Sequence, residues 1–179
     1  MQTNVQQSLS HERADLLESL DRHRDFLRFT VRDLTDEDAA QHTTASELCL
    51  GGLIKHVAMV EAGWTEFILS GPDALGGGSS DWSSEAVVKE WTSRFQMLPG
   101  ETLAGLLDHY DEVARRTDEL VATLPDLDVA HPLPEAPWYE KGARWSARRV
   151  LLHILAETAQ HAGHADIIRE SLDGQKTMG

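Results

Sequence analysis

Hydrophobic residues recur at three- and four-residue spacing over four long stretches of the chain, a period that predicts amphipathic α-helices. The third stretch has the cleanest apolar stripe, and no segment shows a convincing strand alternation, internal repeat or coiled-coil register. The predicted helices cover residues 10–31, 46–69, 102–124 and a final segment from Ser146 to the glycine at position 174. This pattern predicts one all-α domain, a four-helix bundle that spans residues 1–179.

Two long loops separate the second helix from the third and the third from the fourth. The first, "SGPDALGGGSSDWSS", is rich in glycine and serine, and a short helix is expected just after it in "SEAVVKEWTSRF". The second, "PDLDVAHPLPEAPWYEKGAR", contains four prolines and a Trp-Tyr pair. A single turn of helix is expected in "DLTDEDAAQHTTAS", between the first two long helices.

The charge balance narrows the classes of function. The chain has 179 residues and a formal net charge of -14, which is a poor match to a phosphate backbone or an anionic lipid surface. No apolar run approaches the ~20 residues of a spanning helix, and the N-terminus has no signal-peptide pattern. The single Cys49 excludes an internal disulfide framework and is interpreted as a buried structural thiol. We therefore expect a cytoplasmic protein without a nucleic-acid or membrane partner.

The last helix contains an unusual run of polar residues in "HILAETAQHAGHADIIRE". At about 100° per residue, His161 lies within the apolar face and Glu157 lies just inside its border. His153 and His164 fall on the rim of that face, and Arg169 falls on the inward side. A buried carboxylate needs a charge partner, a metal or a proton, so Glu157 and His161 are candidates for a metal site.

The four-residue spacing of Glu157 and His161 brings both side chains to one face, where they can bind a single divalent cation. The same spacing is also common in solvated surface pairs. A third ligand has to come from another helix, and His56 in "GGLIKHVAMVEAGW" is the best candidate. Two histidines, one carboxylate and an open position suit a catalytic zinc ion or a related metal.

The segments "LGGLIKHVAMVEAGW" and "RWSARRVLLHILAETAQHAGHADIIRESLDG" together resemble the DinB-like superfamily of metal-binding four-helix bundles. The closer branch is the one that contains mycothiol-dependent maleylpyruvate isomerase. The resemblance implies that His56, Glu157 and His161 bind a divalent metal, with zinc first and nickel or another transition metal as alternatives. We expect no counterpart to the isomerase's additional C-terminal domain, so that particular isomerisation is not transferred.

The resemblance also implies a reaction. Its characterised relatives use low-molecular-weight thiols such as mycothiol, so we expect a thiol S-transferase that acts on a small electrophilic metabolite or xenobiotic. Two alternatives stay open: a metal-dependent hydrolase that uses a bound water, and a non-enzymatic metal-binding stress or interaction protein. Homodimer formation is also expected from the resemblance and from exposed loop tryptophans.

Several residues around the expected metal carry two interpretations each. His164 and His153 either orient the ligands and move a proton, as catalytic groups, or are ordinary rim residues. Arg169 either meets an acidic group of the thiol cofactor or forms a salt bridge with Asp166 or Glu170. The aromatic residues of the second long loop either cover the pocket or pack against the bundle; these are Trp138, Tyr139 and Trp145.

Overall fold

The four predicted long helices are present in the computed structural model, which describes residues 9–75 and 84–177. The predicted and observed bounds differ most at the second long helix, which is predicted to begin at residue 46 and begins at Leu50. Part of the predicted glycine-rich loop, residues 76–83, lies outside the described residues. In chain order the helices are α1 (His11–Phe29), α2 (Asp36–Ala39), α3 (Leu50–Ser70), a 3-10 turn (Pro72–Leu75), α4 (Glu85–Ser93), α5 (Leu103–Thr123) and α6 (Ala147–Asp173).

Side-chain caps explain where the first and last bundle helices, α1 and α6, begin. The Ser10 hydroxyl accepts a hydrogen bond from the main-chain N–H of Arg13 at 3.4 Å, and the Ser146 hydroxyl accepts one from Arg149 at 3.2 Å. Each cap satisfies one of the main-chain donors that a helix leaves unpaired in its first turn. At the other end of α6, Gly174 adopts a left-handed conformation with φ 80°, as its sequence position predicts.

A small β-hairpin interrupts the second long loop, where the sequence predicts only irregular structure. Strand β1 (Ala130–Pro132) pairs antiparallel with β2 (Arg144–Ser146), with His131 opposite Trp145. The expectation that the chain has no strands is therefore wrong at this point. Three-residue strands are too short to show an alternating pattern, and their pairing depends on contacts across the loop. The hairpin leads directly into α6 and places Trp145 beside the bundle.

The all-α bundle fold is confirmed, with α6 packed against α1 and α3, and α3 packed against α5. Its apolar core consists of two clusters, one around Leu53 and Ile168 and the other around Trp64 and Leu151. Within the described ranges, no helix is both long enough and apolar enough to cross a membrane.

A buried polar layer lies at the level of Arg24 on α1 and Glu61 on α3, both fully buried. The Arg24 guanidinium donates to both carboxylate oxygens of Glu61, at 2.5 and 3.3 Å. It also donates to Asp118 and Asp21, at 2.9 Å each. Burial alone would lower the pKa of Arg24, but the Glu61 and Asp118 carboxylates raise it above its usual value. The layer ties three helices together at the middle of the bundle.

Candidate metal centre

Three side chains from α3 and α6 meet on the inner side of the bundle. His56 lies on the buried face of α3 and is 6% exposed. Glu157 and His161 lie one turn apart on α6, with Glu157 half-buried and His161 buried. One nitrogen or oxygen from each of the three residues lies within 4.8 Å of the other two. The packing of α3 against α6 thus brings His56 together with residues that lie 101 and 105 positions later in the sequence.

The donor set fits a divalent transition metal. The His161 Nε2 atom lies 3.6 Å from Glu157 Oε2, and the His56 and His161 ring centroids are 4.8 Å apart at an interplanar angle of 72°. Ligands around a tetrahedral zinc ion lie roughly 3.4 Å apart, because zinc–nitrogen and zinc–oxygen bonds are about 2.1 Å long. The imidazole and carboxylate donors can therefore reach one ion with small side-chain rotations, which leaves a position for an exogenous ligand.

The electrostatics of His56 and Glu157 favour metal binding at neutral pH. Burial, together with the neighbouring His161 imidazole, lowers the pKa of His56 from 6.5 to about 4, so the ring is neutral and its nitrogen lone pair is free. The contact with His161 lowers the pKa of Glu157, although partial burial raises it, so the carboxylate is ionised. A neutral imidazole and an ionised carboxylate are the protonation states that a metal requires of its ligands.

His153 lies beside the carboxylate on the side away from His161. Its Nε2 atom is 3.9 Å from Glu157 Oε1, while His161 faces the other oxygen. The His153 ring makes edge contacts with the indoles of Trp64 and Trp145, with centroid distances of 4.9 and 5.1 Å. Burial lowers the pKa of His153, so its imidazole is neutral at physiological pH.

His164 lies on the opposite side of the site, one turn beyond His161. The Nδ1 atoms of the two rings are 3.4 Å apart, within hydrogen-bonding distance. Ligating histidines commonly form a hydrogen bond through the nitrogen that does not face the metal. The four residues His153, Glu157, His161 and His164 thus form one continuous row on α6.

Comparison with known proteins identifies the family of the chain and agrees with its helical architecture. The sequence model of the mycothiol-S-transferase family matches residues 15–174. The chain belongs to this family. The resemblance predicted from the motifs on α3 and α6 is thereby confirmed, while no curated protein matches the sequence.

Solved structures share the fold of this mycothiol-S-transferase family member. A conserved protein from Enterococcus faecalis superposes with a TM-score of 0.62 at 14% identity, over 90% of this chain and 97% of the other. An uncharacterised protein from Escherichia coli UTI89 superposes with a TM-score of 0.56 at 17% identity, over 88% and 92% of the two chains. At such low identity the likeness extends to the fold alone.

The structure does not bring Arg169 to the three candidate ligands of this family member. The side chain is buried near the end of α1, with an exposed fraction of 3%. Its guanidinium donates to three acceptors: the Asp173 carboxylate at 2.8–2.9 Å and the main-chain carbonyls of Thr30 and Arg32 at 2.9 and 2.8 Å. These contacts support the salt-bridge interpretation, but the predicted partners were wrong, because the ion pair forms with Asp173.

The loop aromatics pack against the bundle beside His153. Trp145 stacks on Trp64, with centroids 4.9 Å apart and an interplanar angle of 21°. The Arg149 guanidinium lies 4.1 Å above the Trp145 ring, and Tyr139 contacts it edge-on. These contacts favour packing over a mobile cover for Trp145. At the start of α3, Cys49 is buried as predicted.

The sequence pattern did not predict one aromatic neighbour of the site. Phe95, just after α4, stacks on the His56 imidazole with centroids 3.9 Å apart and an interplanar angle of 23°. Its position in a short helix-to-loop segment carries no periodic signal. The nearest sequence hint is the glycine pair in "LGGLIKHV", which precedes His56 on α3.

Proposed function

We propose that this protein is a metal-dependent S-transferase that joins a mycothiol-type thiol to a small electrophilic metabolite or xenobiotic. The convergence of His56, Glu157 and His161 on one point is the observation that carries the proposal, and membership of the mycothiol-S-transferase family supports the thiol chemistry. These three residues would hold the metal, with zinc as the first candidate and nickel or another transition metal as alternatives. The proposed setting is the cytoplasm, and homodimer formation stays a prediction.

The chemical problem for such an enzyme is to generate a thiolate at neutral pH. A free thiol has a pKa of about 8.5, and only its thiolate is a strong nucleophile. A divalent metal, when bound, supplies the positive charge that favours the deprotonated thiol. The sulfur then forms a bond to the electrophilic carbon, and the leaving group departs with the electron pair of its bond to that carbon.

The two rim histidines are the proposed catalytic and orienting groups. His153 is neutral, and its Nε2 atom beside Glu157 is the proposed acceptor of the thiol proton. His164 Nδ1 is the proposed acceptor of a hydrogen bond from His161 Nδ1, which would leave His161 Nε2 directed toward Glu157. Both roles depend on contacts between side chains that lie one turn apart on α6.

Metal content and thiol transfer together test the proposal. The purified wild-type protein should hold about one metal ion per chain, as a three-ligand site does, measured by plasma mass spectrometry. His161→Ala should lose the metal and the transfer of mycothiol to monobromobimane, followed by fluorescence. His109→Ala, which removes an exposed histidine on α5, is the control and should keep both.

Two outcomes would contradict the proposal. Wild-type protein that holds no metal, or His161→Ala protein with undiminished metal, would exclude this site. Wild-type protein that holds metal but neither binds nor transfers a thiol would exclude the transferase reaction while leaving the metal site intact. A hydrolase screen would then follow, because a metal-bound water is the alternative nucleophile.

A further inference from the structure

The segment that follows α4 packs on the first half of α3, next to the candidate metal ligands. Phe95 covers the face of the His56 imidazole at a centroid distance of 3.9 Å, and it lies 6.2 Å from the His161 ring. We propose that Phe95 is a positioning residue that holds His56 in its metal-binding orientation. This inference rests on the proposed metal site and adds a residue that is not itself a ligand.

The orientation of His56 requires an explanation, because the usual device is absent among the residues that the structure describes. A ligating histidine normally donates its second ring N–H to a carboxylate, a carbonyl or a water, which fixes the ring plane. In residues 9–75 and 84–177, no protein hydrogen bond holds the His56 ring, and its ring contacts are with Phe95 and His161. A nearly parallel stack restricts rotation of the imidazole out of its plane, which is one of the two effects of such a hydrogen bond.

Gly52 makes this stack possible. It lies one turn before His56 on α3, and a Cβ atom at this position would lie 1.8 Å from the Phe95 carbonyl oxygen and 2.3 Å from its carbonyl carbon. Both are main-chain atoms, so relief of the overlap would require the segment itself to move. The absence of a side chain on Gly52 therefore sets how closely Phe95 approaches His56.

Two further contacts fix the segment on α3. The Cys49 thiol lies 3.8 Å from the Phe95 carbonyl oxygen, as a weak donor to it. The Lys55 ammonium donates to the Gln96 carbonyl at 3.3 Å and pairs with Glu101 at 2.8 Å. Cys49, Gly52 and Lys55 lie on successive turns of one face at the start of α3. Their contacts with the main chain of Phe95 and Gln96 hold this segment against the helix.

Substitutions that separate ring shape from apolar volume test the inference. Phe95→Leu keeps an apolar side chain but removes the flat face, whereas Phe95→Tyr keeps the ring. We expect Phe95→Leu to weaken zinc affinity about 10- to 100-fold, the range found when groups that orient a ligand are removed. Phe95→Tyr should stay close to wild type. Gly52→Ala should weaken zinc affinity to a similar extent, because the added Cβ atom would push the Phe95 main chain away from α3. Val88→Ala, at an exposed position of α4, is the control.

Four measurements make the result decisive. Competition with a chromogenic chelator gives zinc affinity, and the visible spectrum of the cobalt-loaded protein reports a change in ligand geometry. In the metal-free protein, the aromatic ring current should shift the His56 imidazole protons upfield in NMR spectra of wild type and Phe95→Tyr, but not of Phe95→Leu or Gly52→Ala. Thermal unfolding of the metal-free variants checks that each is folded.

Unchanged zinc affinity and cobalt spectrum in both Phe95→Leu and Gly52→Ala would overturn the positioning role while leaving the metal site and the proposed function in place. Equal losses in Phe95→Leu and Phe95→Tyr would also overturn it, because a ring would then be no better than any other side chain. A wild-type protein that binds no metal would overturn the proposed function, and this inference with it.

Discussion

The buried ion pair between Arg24 and Glu61 provides a sharp test of what stabilises the bundle. Both side chains are fully buried, and the Arg24 guanidinium donates two hydrogen bonds to the Glu61 carboxylate across the interior between α1 and α3. Glu61→Leu would remove the fully buried acceptor and leave the guanidinium with Asp118 and Asp21, whose side chains are 36% and 61% exposed. An arginine cannot shed its charge, so the penalty of burying it remains.

The expected magnitude follows from that geometry. Loss of one member of a buried pair costs about 3–5 kcal/mol of unfolding free energy. Because Asp118 and Asp21 still contact the guanidinium, we expect the lower end of this range, about 3 kcal/mol. For a chain of this size, that free energy corresponds to a drop in Tm of about 6–12 °C. The double substitution Arg24→Met with Glu61→Leu removes both charges and should recover stability to within about 1 kcal/mol of wild type.

Urea unfolding followed by circular dichroism measures the free energies of the two single variants and the double variant. Glu18→Leu breaks an exposed pair with Arg22, whose side chains are 65% and 62% exposed, and it should cost less than about 1 kcal/mol. A Glu61→Leu cost below about 1 kcal/mol would refute the reasoning, as would a double variant that loses the sum of the two single losses.

Two further predictions concern pH and glycine. The lowered pKa of His56 means that the unfolded chain binds a proton more readily than the folded one between pH 6.5 and about 4, so the stability of the metal-free protein should fall as pH falls through this window. His56→Gln should flatten that part of a Tm-against-pH curve, and an unchanged slope would contradict the assignment. Gly174→Ala should cost about 1 kcal/mol because φ is 80° there, whereas Gly163→Ala should stabilise α6 by up to about 1 kcal/mol because an added Cβ meets no described atom within 4 Å. Urea unfolding of both alanine variants checks the opposite signs.

The elements that could be predicted are those whose signals are local. Helix periodicity locates the four bundle helices, and serine caps mark the starts of α1 and α6, because each such signal is complete within a few turns of one segment. Helix phase also predicts that Glu157 and His161 share the inner side of α6, and the structure places His153 and His164 beside them on the same helix. The pairing with His56 was inferred from its position and from the family motif, since α3 and α6 are far apart in sequence.

The parts that could not be predicted depend on partners that are distant in sequence. Glu61 falls within an apolar helix, and its burial is understandable only once Arg24 is found 37 residues earlier. The β-hairpin is missed for a similar reason, because three-residue strands become visible only when β1 and β2 are seen to pair. The position of Arg169 was anticipated on the inward side, but its partner Asp173 was not.

Gly52 shows how a local feature can have a cause that is not local. A glycine within the first turn of a 21-residue helix weakens that helix by about 1 kcal/mol relative to alanine, so propensity alone argues against it. The cost becomes intelligible when the main chain of Phe95 is found where a Cβ atom would lie. That same approach brings an aromatic face onto His56. The glycine that opposes helix formation is therefore the residue that lets the segment after α4 reach the candidate metal site.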